Sequence, residues 1–211
     1  MSKIGIFGGS FDPPTNSHLY VGEDLLEKGY LDAVWYLPCY NSLHGKNVTN
    51  GDIRLNMIER LICKSRFNNE ISKRDGLSVC EFEIQNKMTG RSLDVITKMF
   101  AYYRTNGYAD DEFYMIIGMD NAKNIHKFAE WKQVIAMAPF IVLNRKGCES
   151  TQTWFKEKPH IFANDINVPE MSSTMIRDAV MVMTEKGLPK EFFDWCSVTV
   201  LRDILDWELY R

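Results

Sequence analysis

The sequence predicts an α/β fold built on a doubly wound, mostly parallel sheet. Two observations carry that prediction. Short apolar runs alternate with helical patterns along the chain, as strand–helix–strand units do. The first apolar run, Ile4-Gly5-Ile6-Phe7, also leads directly into a Gly-rich turn, Gly8-Gly9-Ser10-Phe11-Asp12-Pro13-Pro14, which opens a helix near Ser17. An α/β fold places phosphate-binding chemistry at such a turn, where free N–H groups and the positive end of the helix dipole meet an anion.

The elements follow in order. Strand Lys3–Phe7 precedes a helix over Ser17–Lys28, and strand Ala33–Pro38 precedes a helix over Asp52–Phe67. Strand Leu77–Ile84 is followed by helix Ser92–Thr105, and strand Glu112–Gly118 by helices Ala122–Phe128 and Lys132–Met137. Strand Phe140–Arg145 and a short strand near His160–Ala163 complete the sheet; helix Ser173–Lys186 and two short helices between Pro189 and Tyr210 close the chain. The least regular stretches, Cys39–Gly51, Asn86–Gly90 and Lys146–Lys158, read as loops over a site. With 211 residues, 45% of them hydrophobic, the chain suits one sizeable domain. No repeat or composition shift divides it, so residues 1–211 read as one unit, with the helical part from about 172 packed on it.

Composition excludes some function classes. A formal net charge of −3 argues against broad nucleic-acid or membrane binding. Cysteines 39, 63, 80, 148 and 196 are scattered and contain no C-x-x-C, so neither a disulfide framework nor a zinc site is expected, and a reducing cytoplasm is the default. With no basic, apolar leader pattern and no run of about 18 apolar residues in view, neither a signal peptide nor a membrane span is expected.

In the first turn, Gly8 and Gly9 let backbone approach a phosphate, Asp12-Pro13-Pro14 stiffens the chain, and Thr15 and His18 lie on one side of the first helical turn. The segment has neither the P-loop pattern nor G-x-G-x-x-G. It resembles the GxFxPxTxxH signature of the nucleotidyltransferase superfamily. About 160 residues later, Met171-Ser172-Ser173-Thr174-Met175-Ile176-Arg177 is similar to the ISSTxIR motif of pyridine mononucleotide adenylyltransferases. The resemblance implies a Rossmann-like nucleotidyltransferase fold. It implies that ATP and nicotinate or nicotinamide mononucleotide are joined to give deamido-NAD or NAD and pyrophosphate. Mg²⁺ would be held mainly by ATP phosphates, with no metal-ligating residues.

The resemblance also distributes roles. His18, Arg177 and Lys46 are the implied catalytic residues. Gly9, Ser10, Phe11, Thr15, His18, Ser172, Ser173, Thr174 and Arg177 would hold ATP. Lys46, Gly118, Asp120, Phe128, Trp131 and Arg145 would hold the mononucleotide. Each has a plainer alternative. Thr15 and Ser172 or Ser173 are helix N-caps by type, and Arg177 could be a solvated face residue. Lys46 could be a loop lysine, Asp120 a cap and Arg145 a surface charge. Phe128 and Trp131 could be core aromatics, and Arg54 divides between a family arginine and a structural one. His44 is the weakest candidate.

Some positions depart from the pattern. Ser17 replaces a frequent Gly, Thr15 stands where many bacterial enzymes have a second His, and Phe128 stands where they often have Trp. Leu93-Asp94-Val95-Ile96 matches their YTxDT-like element poorly. The base preference therefore stays open, leaning toward use of both mononucleotides. Phosphopantetheine adenylyltransferase is the enzymatic rival, through the T-N-x-H spelling; the SSTMIR motif and the length oppose it. A nucleotide-binding regulatory module without turnover is the other rival, opposed by intact His18 and Arg177. The expected partners are ATP and the mononucleotide, without nucleic acid or membrane; a homo-oligomer is left open.

Overall fold

A computed structural model describes all residues except 42–47, 70–71, 89, 167 and 184–186. Its elements are β1 (Lys3–Gly9), α1 (Asn16–Glu27), β2 (Ala33–Pro38), α2 (Gly51–Ile62), β3 (Gly76–Val79), α3 (Phe82–Gln85), α4 (Ser92–Thr105), β4 (Glu112–Gly118), α5 (Met119–Lys123), α6 (Trp131–Met137), β5 (Phe140–Leu143), β6 (Ile161–Ala163), α7 (Ser173–Met181), α8 (Phe192–Trp195) and α9 (Val198–Asp206), with 3₁₀ turns at Ile125–Lys127 and Trp154–Lys156.

The six strands form one sheet in the order β3-β2-β1-β4-β5-β6, and every pairing is parallel. Strands buried on both faces need continuous apolar sequence, and β2 (AVWYLP) is buried at all six positions. On one face, Val95, Ile96, Met99 and Phe100 of α4 and Val134 of α6 cover Ile4, Ile6, Trp35 and Phe113. On the other, Val21 and Leu25 of α1 and Ile58 and Ile62 of α2 cover Val34, Tyr36, Leu77 and Ile141. A third cluster joins Met57 and Leu61 of α2 to Ile176, Phe192, Val200 and Ile204, and so docks α7–α9. The chain adds β2 and β3 on one side of β1, then returns to place β4 on the other. Parallel sheets bind ligands at that reversal, beyond the carboxyl ends of the two central strands, here Gly9 and Gly118.

Several predicted boundaries move. The strand predicted over Leu77–Ile84 stops at Val79. Cys80 N–H still donates to Tyr36 O (2.8 Å). The chain then folds into α3, because Phe82 packs on the rings of Tyr102 and Tyr103 and Glu83 turns inward. The helix predicted to reach Phe67 ends at Ile62, where Ser65 Oγ accepts from Phe67 N–H and donates to Glu23, a local bond that competes with helix. The helix predicted over Ala122–Phe128 is α5 plus a 3₁₀ turn; Asn124 Nδ2 donates to Asp120 O (2.9 Å) at the break. α7 ends at Met181 rather than Lys186, and the loop after β5 holds an unforeseen 3₁₀ turn. Among the described residues no helix is long and apolar enough to cross a membrane.

Candidate active site

The turn after β1 is built around a strained residue. Phe11 has φ +48°, a conformation that costs a non-glycine residue about 1–3 kcal/mol. Its buried ring meets those of Phe7, Tyr36 and His18 with centroids 4.9–5.9 Å away. That packing holds the turn in place. Gly8 lies at the mouth of the turn, where a Cβ would meet nothing within 4 Å.

Thr15 is fully buried and caps α1, with His18 as the third helical residue in a capping box. His18 Nδ1 lies 2.9 Å from Thr15 N and 2.8 Å from Thr15 Oγ1. A backbone N–H can only donate, so Nδ1 is the acceptor and the ring proton resides on Nε2. Desolvation holds the imidazole pKa down at about 4. His18 is therefore a neutral Nε2–H donor at pH 7.

The second motif closes on the first. Ser172 caps α7, accepting from Met175 N–H (3.3 Å). Ser173 Oγ donates to Pro13 O (2.7 Å). Arg177 Nη1 donates to Asp12 O (2.7 Å), and its Nη2 to Thr174 Oγ1 (3.0 Å). Asn16 Nδ2 reaches the carbonyls of Phe193 and Asp194 in α8 (3.2 and 3.0 Å). The plain reading of Arg177 as a solvated face residue does not hold: it is half-buried and bonded to the turn.

Across the reversal, Gly118 ends β4. A Cβ there would stand 2.5 Å from Asp120 Oδ1, so Gly is required for this carboxylate placement. Asp120 Oδ2 pairs with Arg145 Nη1 at 3.1 Å, the side chains being 40% and 36% exposed. Asp120 is thus engaged with Arg145, and its side chain does not cap α5. Phe128 and Trp131 are half-buried and belong to none of the three hydrophobic clusters. Lys132 Nζ lies 5.7 Å from the Trp131 ring centroid. Gly9 is half-buried at the end of β1, and Ser10, which follows it, is exposed. Lys46 and His44 lie outside the described residues.

Three residues that sequence reasoning left undecided or missed stand behind this surface. Arg54 is fully buried and donates to Ser10 O, Cys39 O and Thr49 O (2.7–2.8 Å), so its structural reading holds: it ties the turns after β1 and β2 to the start of α2. Glu83 is buried; its carboxylate accepts from Tyr40 N–H (3.4 Å), and desolvation pushes its pKa up to about 7. Asp12 is 5% exposed. Its place at the head of Asp12-Pro13-Pro14 was the only signal the sequence held for Asp12.

Comparison with known proteins agrees with this geometry. A cytidylyltransferase-like family model matches residues 6–179. A "Probable nicotinate-nucleotide adenylyltransferase" of Clostridium novyi (strain NT) is 30% identical over 190 residues, covering 85% of this chain and 88% of that one. One of the same name from Shouchella clausii (strain KSM-K16) is 27% identical over 196 residues, covering 92% and 90%. A solved Plasmodium falciparum nicotinic acid mononucleotide adenylyltransferase, complexed with APC, shares the fold at TM-score 0.77 and 22% identity, covering 100% and 98%. The chain belongs to the cytidylyltransferase-like family and, within it, to the nicotinate-nucleotide adenylyltransferases.

Proposed function

We propose that the protein joins ATP and nicotinate mononucleotide into nicotinate adenine dinucleotide, releasing pyrophosphate. The observation that carries the reading is the docking of Ser173 and Arg177 onto the turn that presents His18, at the sheet reversal. A 5′-phosphate oxygen of the mononucleotide attacks the α-phosphorus of ATP in line. The bond from that phosphorus to the bridging oxygen breaks, and pyrophosphate leaves with the electron pair. Such chemistry needs alignment and donors aimed at the developing charge. The Nε2–H of His18 suits an α-phosphate oxygen.

Gly9, Ser10, Phe11 and Thr15 form the turn that faces the triphosphate. Ser172, Ser173, Thr174 and Arg177 suit its β- and γ-phosphates. On the acceptor side, Gly118 allows close approach, Asp120 suits ribose hydroxyls and Arg145 an anionic group. Phe128 or Trp131 offers a face to the pyridine ring, and Lys46 is the candidate for the mononucleotide phosphate. Among the described residues no group of three or more His, Cys, Asp or Glu could hold a metal ion. The donors at the turn are hydroxyls, N–H groups and cations, which fits Mg²⁺ carried by phosphate oxygens and water. When bound there, Mg²⁺ supplies screening of the phosphate charge. We read residues 1–211 as one catalytic domain, because α7 supplies half of the phosphate site. The cysteines are free, as suits a reducing cytoplasm.

The test is incubation with ATP and Mg²⁺ plus nicotinate mononucleotide, nicotinamide mononucleotide or phosphopantetheine, with chromatography of the products. Dinucleotide from nicotinate mononucleotide is expected, with some from nicotinamide mononucleotide. Product from phosphopantetheine alone, or ATP binding without turnover, would overturn the reading.

A further inference from the structure

The end of the chain returns to the nucleotide turn. The Tyr210 hydroxyl donates to Asp12 Oδ1 at 2.6 Å, in the short range of charge-assisted O–H···O⁻ bonds. The other carboxylate oxygen, Oδ2, accepts from Thr49 N–H at 3.2 Å. The Thr49 hydroxyl in turn points to the Tyr210 oxygen (3.4 Å). Among the described residues no Lys or Arg pairs with the Asp12 carboxylate within 4.0 Å. A buried carboxylate without a cation depends on its hydrogen-bond donors, and among the described residues Tyr210 supplies the shorter of two such bonds. The same residue, Asp12, offers its backbone carbonyl to Arg177. One turn residue is therefore held from both sides, by the tail at its carboxylate and by α7 at its carbonyl.

The tail is shaped for that contact. Glu208 and Tyr210 have φ +49° and +64°, left-handed conformations that persist only where surrounding structure enforces them. Leu209 and Tyr210 pack on the cluster formed by α2, α7, α8 and α9. Burial and the neighbouring Asp12 push ionisation of the Tyr210 phenol far above its ordinary range, so the hydroxyl remains a donor at any working pH.

We infer that Tyr210 is a positioning residue for ATP: through Asp12 it fixes the turn that faces the triphosphate and, through the Asp12 carbonyl, the place of the Arg177 guanidinium. The inference rests on the assignment of that turn and Arg177 to ATP.

The experiment compares wild type with Tyr210→Phe, Asp12→Asn and the double variant. Melting temperature and circular dichroism establish that each is folded. Calorimetry with a non-hydrolysable ATP analogue and Mg²⁺ gives affinity, and steady-state kinetics give KM for each substrate. Tyr210→Phe keeps the ring and loses the hydroxyl; affinity for the analogue is expected to fall about tenfold, with KM for the mononucleotide within about twofold of wild type. In the Asp12→Asn background the same change is expected to cost less than about twofold, because a neutral amide no longer requires that donor. Unchanged affinity in Tyr210→Phe, equal losses for both substrates, or multiplicative effects in the double variant would each overturn the inference. Calorimetry reports independently of turnover. A wild-type protein that binds the analogue but makes no dinucleotide would defeat the proposed activity, while the affinity ratios would still decide the role of Tyr210.

Discussion

The two halves of the site are built differently. On the β1 side, Thr15 is fully buried, Asp12 is 5% exposed, and the turn is bonded to α1, to α2 and the residues before it, to α7 and to the tail. On the β4 side, Asp120 and Arg145 keep 40% and 36% of their side-chain surface exposed and bond each other. Phe128 and Trp131 stand outside the core clusters. The first half is preorganised, as suits the place where charge develops during transfer. The second half has fewer fixed partners, as suits the place where an acceptor is chosen.

The largest expected effect follows from the first half. His18→Ala removes a donor already held in one tautomer, so turnover is expected to fall by roughly 10²–10³, with ATP affinity changed far less. A variant with near wild-type kcat would break the contrast at its strongest point. Arg177→Ala comes next. Loss of a charge-assisted contact worth about 1.5–3 kcal/mol should raise KM for ATP much more than KM for the mononucleotide.

How much of this was legible follows the same division. The strand, turn and helix carrying Gly8 through His18 are consecutive, so local sequence specifies them. The contacts of Ser173 and Arg177 with Pro13 O and Asp12 O span 160 and 165 residues and end on backbone carbonyls, which carry no sequence identity. Arg54 was undecidable for that reason: its three close acceptors are all carbonyls. The run from Leu77 to Ile84 shows a different limit. Its apolar content reads as strand, yet α3 forms because Tyr102 and Tyr103 wait for Phe82. Such a tertiary demand overrides local pattern. For Tyr210, no periodicity distinguished one aromatic near the end of the chain from any other.

Smaller effects are expected on the exposed side. Asp120→Asn or Arg145→Ala breaks an ion pair open to solvent, and pairs of that kind contribute about 0–1 kcal/mol to stability. Melting temperature should barely move, while KM for the mononucleotide should rise severalfold. A rise in KM for ATP instead would reverse the assignment of the halves. The same openness predicts tolerance: specificity constants for nicotinate and nicotinamide mononucleotide should differ by less than about 10³, below the roughly 10⁴–10⁵ reached when a site is built to hydrogen-bond one polar group. A larger ratio would show a dedicated carboxylate site.

The smallest effect concerns pH, and here two buried groups oppose each other. The His18 pKa is lowered from 6.5 to about 4. Between those values the unfolded chain binds more protons, so this contribution to stability is full above pH 6.5 and is lost as pH falls toward 4. The Glu83 pKa is raised from 4.5 to about 7. There the folded chain binds more protons, so stability falls as pH rises from 4.5 to 7. The two slopes offset each other between pH 4.5 and 6.5, so together they leave little net slope there; His160, also held below its ordinary value by burial, adds to the His18 side. Glu83→Gln keeps an oxygen for Tyr40 N–H and cannot ionise. Its melting temperature should gain on wild type as pH climbs from 5 to 7.5, and its own curve should slope upward, driven by His18 and His160. Parallel curves for the two proteins would mean that Glu83 titrates as an ordinary surface carboxylate. The gain also bears on the comparison between halves, since Glu83 supports the turn after β2 through Tyr40. If KM for the mononucleotide follows the same pH interval in wild type but not in Glu83→Gln, the turn after β2 belongs to the acceptor half.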